Sequence, residues 1–396
     1  MDFRHILFKK IITYRFPSAS WRIFALFLPG KAVVVTEIFG HSAWLGAIEL
    51  KKNWLLIPDN CKKVVSLHHH FNLVYCMNVA VNVSSTDVKH IFIVNPYAGK
   101  KDATEDIKAV LRPYCGKIDY EIYVTKGPKD ATVYCREYCL SHPDRVVRFY
   151  ACGGDGTINE VVTGIAGMPN AQMSCYPCGS GNDYIKYYGK QADFLEVENT
   201  INGVARKVDL MQVDVLGCGK NETRYSLNVC NFGFDSEVCR TMIEVKRKPL
   251  IGGKHAYTTG IVKAIFTGRS NQVDLDVDGE VFHRGKMLLC TLSNGQYVGG
   301  AYKCAPRSKN DDGLVEICMA KPMMLARFVS MIGAYKRGEH LDDPKFQNLL
   351  KYRRGREITM TSGRPFWVTI DGDMLCSDKY KVTQLPGAIT FVAPGK

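Results

Sequence analysis

No apolar run in this 396-residue sequence approaches the roughly 18 residues that a membrane-spanning helix needs. The best early stretch, 21–50, is interrupted by Lys31, Glu37 and a Pro29-Gly30 break. An apolar leader with a small-residue cleavage site is also lacking, so the expectation is a cytoplasmic chain with reduced thiols. The fifteen cysteines are scattered from Cys61 to Cys376, and Cys175 and Cys178 form the single CxxC. Neither a second such pair nor a histidine cluster completes a zinc set, and the run His68, His69, His70 has no partner motif. Heptads, internal repeats and low-complexity tracts are absent, which excludes coiled coils and solenoids. So are GxxxxGK[ST] and a GxGxxG following a strand, which removes the common NTPase loop and the dinucleotide fingerprint.

What is present points elsewhere. A hydrophobic content of 46%, with aromatic residues making up 11% of the sequence, supports one sizeable core and a second. The formal charge of +13, from 52 basic against 39 acidic residues, suits an anionic partner. Residues 1–88 carry short apolar pieces without a sustained period and read as an extension of uncertain structure. From Lys89 the punctuation becomes regular. Ile91, Phe92, Ile93 and Val94 form a continuous apolar run ending at Asn95-Pro96, as for a buried parallel strand entering a loop. Ala103, Ile107, Val110 and Leu111 repeat at helical spacing, 118–124 alternates like a strand, and Ala131, Tyr134, Cys135, Tyr138 and Cys139 mark a second helix before a strand at 146–152. The pattern predicts an α/β layer with parallel strands over 89–207.

Beyond about Val208 the period changes. Val273, Leu275 and Val277 alternate with aspartates, and short strands are expected at 287–290, 314–318 and 366–370. This predicts a mainly β domain over 208–380, with a helical insertion at 241–247 and 257–266 and a C-terminal segment, 381–396, returning to the first domain.

The strongest local signal is Gly153-Gly154-Asp155-Gly156-Thr157, directly after the 146–152 strand and before a helix marked by Ile158, Val161, Val162 and Ile165. Consecutive glycines permit a tight turn that offers N–H groups to phosphate oxygens. Asp155 would repel phosphate unless a divalent cation lies between them or the carboxylate faces a substrate, which suggests metal-assisted phosphoryl transfer.

Asn95-Pro96-Tyr97-Ala98-Gly99, the Gly153-to-Thr157 turn, Pro177-Cys178-Gly179-Ser180-Gly181-Asn182-Asp183 and Asp371-Gly372-Asp373 occur in an order that resembles the diacylglycerol kinase catalytic family, particularly its soluble bacterial lipid kinases. The resemblance covers residues 89–396. It implies an α/β lipid kinase fold of two domains, a three-layer nucleotide-binding domain and a β-sandwich-like domain, and an ATP-dependent enzyme that phosphorylates diacylglycerol to phosphatidic acid. Other lipid alcohols (phosphatidylglycerol, undecaprenol, a sphingoid base), NAD kinase and a nonenzymatic nucleotide or lipid sensor are the alternatives.

By the same resemblance, Asn95, Pro96, Ala98, Gly99, Thr125, Gly153, Gly154, Asp155, Gly156, Thr157, Gly181, Asn182 and Asp183 line the ATP site. Asn95 closing its own turn, Thr125 capping the helix near Asp130, and Asn182 or Asp183 capping a helix are the structural alternatives. The resemblance makes Asp155 and Asp209 organisers of catalytic Mg²⁺ and Asp371 the proton acceptor, with Asp373 as its acidic partner. It also implies a structural magnesium loop using Asp311, Asp312 and Leu314, whose alternative is a turn at Gly313. Asp278-Gly279-Glu280 repeats the Asp-Gly-acidic pattern but reads as a hairpin turn. The expected location is peripheral, on an anionic inner membrane face, with basic segments 246–248 and 351–354 facing the lipid. Nucleic acid is not expected for want of a recognition module, and the resemblance implies a homodimer.

Overall fold

The computed structural model describes residues 11–15, 21–28, 31–38, 44–48, 88–219, 221–234, 236 and 271–395. The chain divides into two units, 1–79 and 80–396. In the first, β1 (Ile11–Arg15), β2 (Trp21–Leu28), β3 (Lys31–Ile38) and β4 (Trp44–Ile48) form an antiparallel sheet in sequential order. No strand period was expected in this region, because its alternation is broken at short intervals. The expected helical insertion and basic segment 246–248 lie outside the described residues.

The second unit begins with β5 (Lys89–Val94), α1 (Thr104–Leu111), β6 (Tyr120–Val124), α2 (Asp130–Ser141), β7 (Val147–Gly153), α3 (Asp155–Ile165) and β8 (Ala171–Pro177). The four strands are parallel in the order β6-β5-β7-β8. Alternation within each strand separates the two faces. Ile91, Ile93, Phe149 and Ala151 pack with α2 and α3 through Ala131, Cys135, Val161 and Val162. Phe92, Val94, Tyr150 and Cys152 pack with Ile107 and Leu111 of α1 on the other side. Helices on both faces give the three-layer arrangement. Two short helices, α4 (Gln191–Leu195) and α5 (Val197–Ile201), complete this part.

The remaining chain is mainly β: β9 (Val204–Val215), β10 (Glu222–Ser226), β11 (Val229–Gly233), β12 (Asn271–Gln272), β13 (Asp274–Val277), β14 (Glu280–His283), β15 (Lys286–Met287), β16 (Leu289–Ser293), β17 (Val315–Ala320), β18 (Leu350–Gly355), β19 (Glu357–Ile370) and β20 (Asp373–Ala393). One helix, α6 (Leu325–Arg337), covers β16 and β17 through Phe328, Met331 and Ala334 against Leu289 and Ala320. A core of inward side chains, Val213, Phe232, Leu275, Leu292, Ile317, Val368 and Tyr380 among them, fills the β-rich half. Asp278 and Gly279 both have positive φ and close the β13–β14 hairpin, as their sequence suggests.

The expected division at 207/208 falls inside β9, which pairs with β20 from Val204↔Ala393 to Val215↔Tyr380. At Phe391, β20 also pairs in parallel with Met173 of β8, so one sheet runs through both halves. The basic run 351–354 lies in β18, and each of its cations has a hydrogen-bond or ion-pair partner. Lys351 Nζ donates to Phe282 O at 3.0 Å, Arg353 pairs with Glu280 at 2.7 Å, and Arg354 pairs with Asp312. Two of its three cations are therefore ion-paired.

Candidate functional site

In an open parallel sheet, ligands bind beyond the carboxyl ends of the strands where the connections turn in opposite directions. Here β5 connects outward to β6 while β7 connects the other way to β8, so that crevice lies between β5 and β7. The loop beginning at Asn95 and the Gly153–Thr157 turn both open there. Asn95 Oδ1 accepts from Tyr97 N at 3.0 Å, and its Nδ2 donates to Thr157 Oγ1 at 3.1 Å. It thus closes its own turn and ties that turn to the start of α3. Ala98 N returns to Asn95 O, and Pro96 occupies the same turn.

Two close approaches require glycine. Gly99 has φ +79° and a Cβ there would strike Cys178 O. A Cβ on Gly179 would strike the Gly154 backbone. Cys178 N and Gly179 N both donate to Gly153 O, which locks the third loop onto the second. Gly156 is open to solvent and Thr157 is buried. Thr125 is buried at the end of β6 and caps nothing, because the residue preceding α2 is Lys129. Neither Asn182 nor Asp183 caps a helix through its side chain. Asn182, at φ +51°, donates to Gly179 O, while its buried Oδ1 has no protein partner. Asp183 accepts from Gly300 N and from Lys186 Nζ at 2.6 Å, joining this loop to the β-rich half.

Asp155 opens α3 and accepts from Asp183 N at 2.7 Å. Burial, then the negative charges of Asp183 and Asp371, push its carboxyl up to about 6. Residues 155 and 371, far apart in sequence, are therefore near enough for the charge of one to act on the other. One turn further along α3, Asn159 Nδ2 donates both to Tyr225 O at 2.8 Å and to Asp371 Oδ2 at 3.1 Å.

Asp371 lies in the β19–β20 turn at φ +45°. Its Oδ1 accepts from Ser226 Oγ, Asn228 N and Val229 N, and its Oδ2 accepts from Leu227 N and Asn159 Nδ2, at 2.8–3.2 Å. Burial raises this carboxyl, against the opposing effect of those donors. Two residues on, Asp373 is exposed and has no side-chain hydrogen bond or ion pair among the described residues. With Asn159, Tyr225, Ile370, Met374, Leu375, Lys129 and Arg224 it lines a cavity of about 150 Å³.

Asp209 has other partners. Only 2% exposed, it sits opposite the β20 bulge between Leu385 and Ile389. Gly387 N donates to its Oδ1 at 2.8 Å and Gly313 N to its Oδ2 at 2.6 Å, with Gln384 Nε2 at 3.4 Å. Burial raises its carboxyl, and the charge of neighbouring Asp311 adds to that rise. The structure therefore brings Asp155 together with Asp183 and Asp371, and gives Asp209 to the ribbon between the halves.

The donor sets distinguish the two expected magnesium positions. At Asp155, crowded negative charge beside a glycine cradle fits a cation shared with phosphate oxygens, since Mg²⁺ takes one or two carboxylates and completes its shell from substrate and water. The 311–314 loop does not fit: Asp312 is paired with Arg354 and bonded to Leu314 N, Leu314 O faces Gln384, and Asp311 is exposed. No group of three or more His, Cys, Asp or Glu is arranged for a metal among the described residues.

Sequence reasoning missed Asn159, Ser226 and Gly300. Asn159 alone left a signal, as a polar residue one turn after Asp155 on the same helix face.

Residues 89–213 match the diacylglycerol kinase catalytic domain, and residues 228–393 match the YegS C-terminal NAD kinase beta sandwich-like domain. A diacylglycerol kinase of Bacillus subtilis is 31% identical over 287 residues, 71% of this chain and 88% of the relative. One from Staphylococcus carnosus is 27% identical over 284 residues, covering 71% and 87%. In fold the chain is similar to a crystal structure of a putative diacylglycerol kinase from Bacillus anthracis, with TM-score 0.60 and 23% identity over 79% of this chain and 98% of that one.

Proposed function

Because the chain belongs to the diacylglycerol kinase family, we propose that it transfers the γ-phosphoryl group of ATP to the free hydroxyl of diacylglycerol, releasing ADP and phosphatidic acid. The observation that carries this reading is Asn159, one turn along α3 from Asp155, donating to Asp371 at 3.1 Å and so tying the Asp371-Gly372-Asp373 turn to the helix that follows the Gly154–Gly179 contact. Phosphates rest against the N–H groups of Gly99 and of the first turn of α3, Asp155 to Thr157, which no other group takes up. Asp155 would hold a magnesium ion, which would supply positive charge to offset that on the transferring group.

The acceptor enters the cavity lined by Ile370, Met374 and Leu375, with Asp373 at its edge. The sequence resemblance pointed to Asp371 as proton acceptor, yet five donors occupy its two oxygens, and a carboxylate offers about four lone-pair sites. Asp373 keeps its oxygens accessible at the same turn. We therefore place the proton on Asp373 and give Asp371 the task of holding the turn against Asn159 and β11. The lipid O–H bond breaks to Asp373, the new O–P bond forms, and the bond from the γ-phosphorus to the bridging oxygen breaks to ADP. Lys129 and Arg224, on the same cavity, add positive charge along this path.

No helix among the described residues is long and apolar enough to cross a membrane; the protein meets its lipid from the bilayer surface. The test is transfer of label from ATP across a panel of diacylglycerol, phosphatidylglycerol, undecaprenol and a sphingoid base, by wild type and Asp373→Asn in parallel. Labelled phosphatidic acid, formed by the wild type alone, is the expected result. A different labelled product replaces the acceptor, and full turnover by the variant removes Asp373 as the base.

A further inference from the structure

The cavity of about 150 Å³ beside Asp373 carries two cations, Arg224 and Lys129, and each shows a feature that the fold itself does not use. Arg224 lies on β10. Its Nη2 pairs with Glu222 Oε2 at 3.1 Å, but its Nε is buried without a hydrogen-bond partner. A buried guanidinium N–H left unpaired is costly and normally finds an acceptor. Arg354 Nε is also buried without a hydrogen bond, yet it lies 3.4 Å from the Glu316 carboxylate; Arg224 Nε has no such neighbour among the described residues. Lys129 precedes α2 at φ +68°, a left-handed conformation that disfavours a lysine. Its ammonium has no carboxylate partner among the described residues. Backbone strain of this kind collects at functional sites.

The position of Arg224 is set by the groups that hold the catalytic turn. Side chains 222, 224 and 226 project from one face of β10. Ser226 Oγ donates to Asp371 Oδ1 at 2.8 Å, which puts Arg224 one pleat, about 7 Å along the strand, from the residue that anchors the Asp373 turn. Next to it, Tyr225 O accepts from Asn159 Nδ2 at 2.8 Å. Asn159 also lines the cavity and belongs to α3, whose first turn receives the phosphates. One wall of the cavity is therefore a single helical turn from the phosphates, and another holds the proton acceptor.

We propose that Arg224 is a catalytic residue which, with Lys129, grips the phosphoryl group as it passes from ATP to the lipid hydroxyl. The proposal rests on the lipid-kinase reading and deepens it. Diacylglycerol is neutral and gives two cations nothing to bind, so the anion they meet is the group delivered to it. In the transfer the γ-phosphorus loses its bond to the bridging oxygen of ADP, which keeps the electron pair. The phosphorus gains a bond to the lipid oxygen, whose proton goes to Asp373. Arg224 gives up no proton; its Nε–H donates to an equatorial oxygen on which the negative charge is spread. The planar fork of a guanidinium matches such oxygens better than an ammonium does.

The experiment measures transfer of label from ATP to a water-soluble short-chain diacylglycerol, together with binding of ADP alone and of ADP with fluoroaluminate, a mimic of the transferring group. Arg224→Gln is expected to lose about 10²–10³-fold in kcat with the KM for ATP unchanged, because the contact forms with the group in flight. Arg224→Lys keeps the charge without the fork and is expected to fall between the two. Guanidinium ion, added below denaturing concentration to Arg224→Ala, is expected to restore part of the turnover, which the loss of a structural strut would not permit. Lys129→Gly eases the backbone while removing the charge, so it should melt no lower than wild type and yet turn over more slowly. Glu222→Gln removes the exposed ion pair alone and is expected to keep most of its turnover. Fluoroaluminate should tighten ADP binding to the wild type and not to Arg224→Gln. Binding of ADP alone at wild-type strength shows that this variant folds, and Arg224→Lys carries the comparison where it does not. Full turnover by Arg224→Gln or Lys129→Gly, an equal loss in Glu222→Gln, or tightening by fluoroaluminate in Arg224→Gln overturns the clamp and leaves the kinase reading standing. A wild type that labels no diacylglycerol removes the kinase reading and the clamp with it.

Discussion

Asp155 sits in an excess of negative charge that a proton or a cation relieves. A carboxyl raised in the folded state holds its proton more tightly there than in the unfolded chain. It favours the fold below the ordinary carboxyl range, near 4, and that contribution is lost as pH rises through about 6. In the absence of nucleotide and divalent cations, Asp155→Asn is therefore expected to melt above the wild type at pH 7.5 and to converge with it below pH 4 in a thermal titration. The same variant should lose phosphoryl transfer by about 10²–10³-fold. A lower melting temperature at pH 7.5 would show that the charge is already neutralised. The two aspartates of the β19–β20 turn should separate cleanly. Asp371→Asn turns an amide N–H₂ toward existing donors and is expected to cost about 2–4 kcal/mol in denaturant unfolding. Asp373→Asn, being exposed, should stay within about 0.5 kcal/mol of wild type. Its kcat should fall while the KM for ATP is unchanged. The motif at 371–373 was legible in the sequence, but the hydrogen bonds that hold Asp371 were not, because they come from N–H groups of 227–229, remote in the chain.

At the level of elements, the first half was largely readable because β5 and β7 are buried on both faces and their helices carry simple apolar stripes. The loops between them depend on close backbone contact. Gly99→Ala is expected to raise the KM for ATP and to cost about 1–3 kcal/mol, through its positive φ and collision with Cys178 O. Gly116→Ala provides the control in the same kinetic and unfolding assays. It has φ +76° but open space around the new methyl, so it should share the strain and leave ATP binding alone. The long strands β9 and β20 left much weaker traces. Their partners lie about 170 residues apart, and Pro386-Gly387 interrupts the alternation of β20 at its bulge. The partners of Asp209 were hidden for the same reason: Gly387 and Gly313 are brought to it only by the fold. Asp209→Ala is expected to cost about 2–4 kcal/mol by leaving two buried N–H groups unpaired. Equilibrium unfolding should reveal this as a loss of stability larger than any loss in the KM for ATP.

For the whole molecule, the division between 1–79 and 80–396 yields a direct prediction. Removal of residues 1–87 should leave cooperative unfolding and short-chain turnover within about twofold, since a domain with its own core folds alone. Loss of both would place the amino-terminal sheet in the catalytic core. Within 80–396 the halves are less separable than their compositions suggest. The chain leaves the nucleotide-binding half along β9 and returns along β20, the two hydrogen-bonded over most of their length.

That ribbon constrains how the crevice can breathe. A clamshell joined by a slack tether could gape widely, but two paired strands resist splaying and yield most readily to torsion. Admission of ATP and discharge of ADP should accordingly proceed by a small screw of one lobe upon the other, with the Asp183–Gly300 contact as the catch that slips.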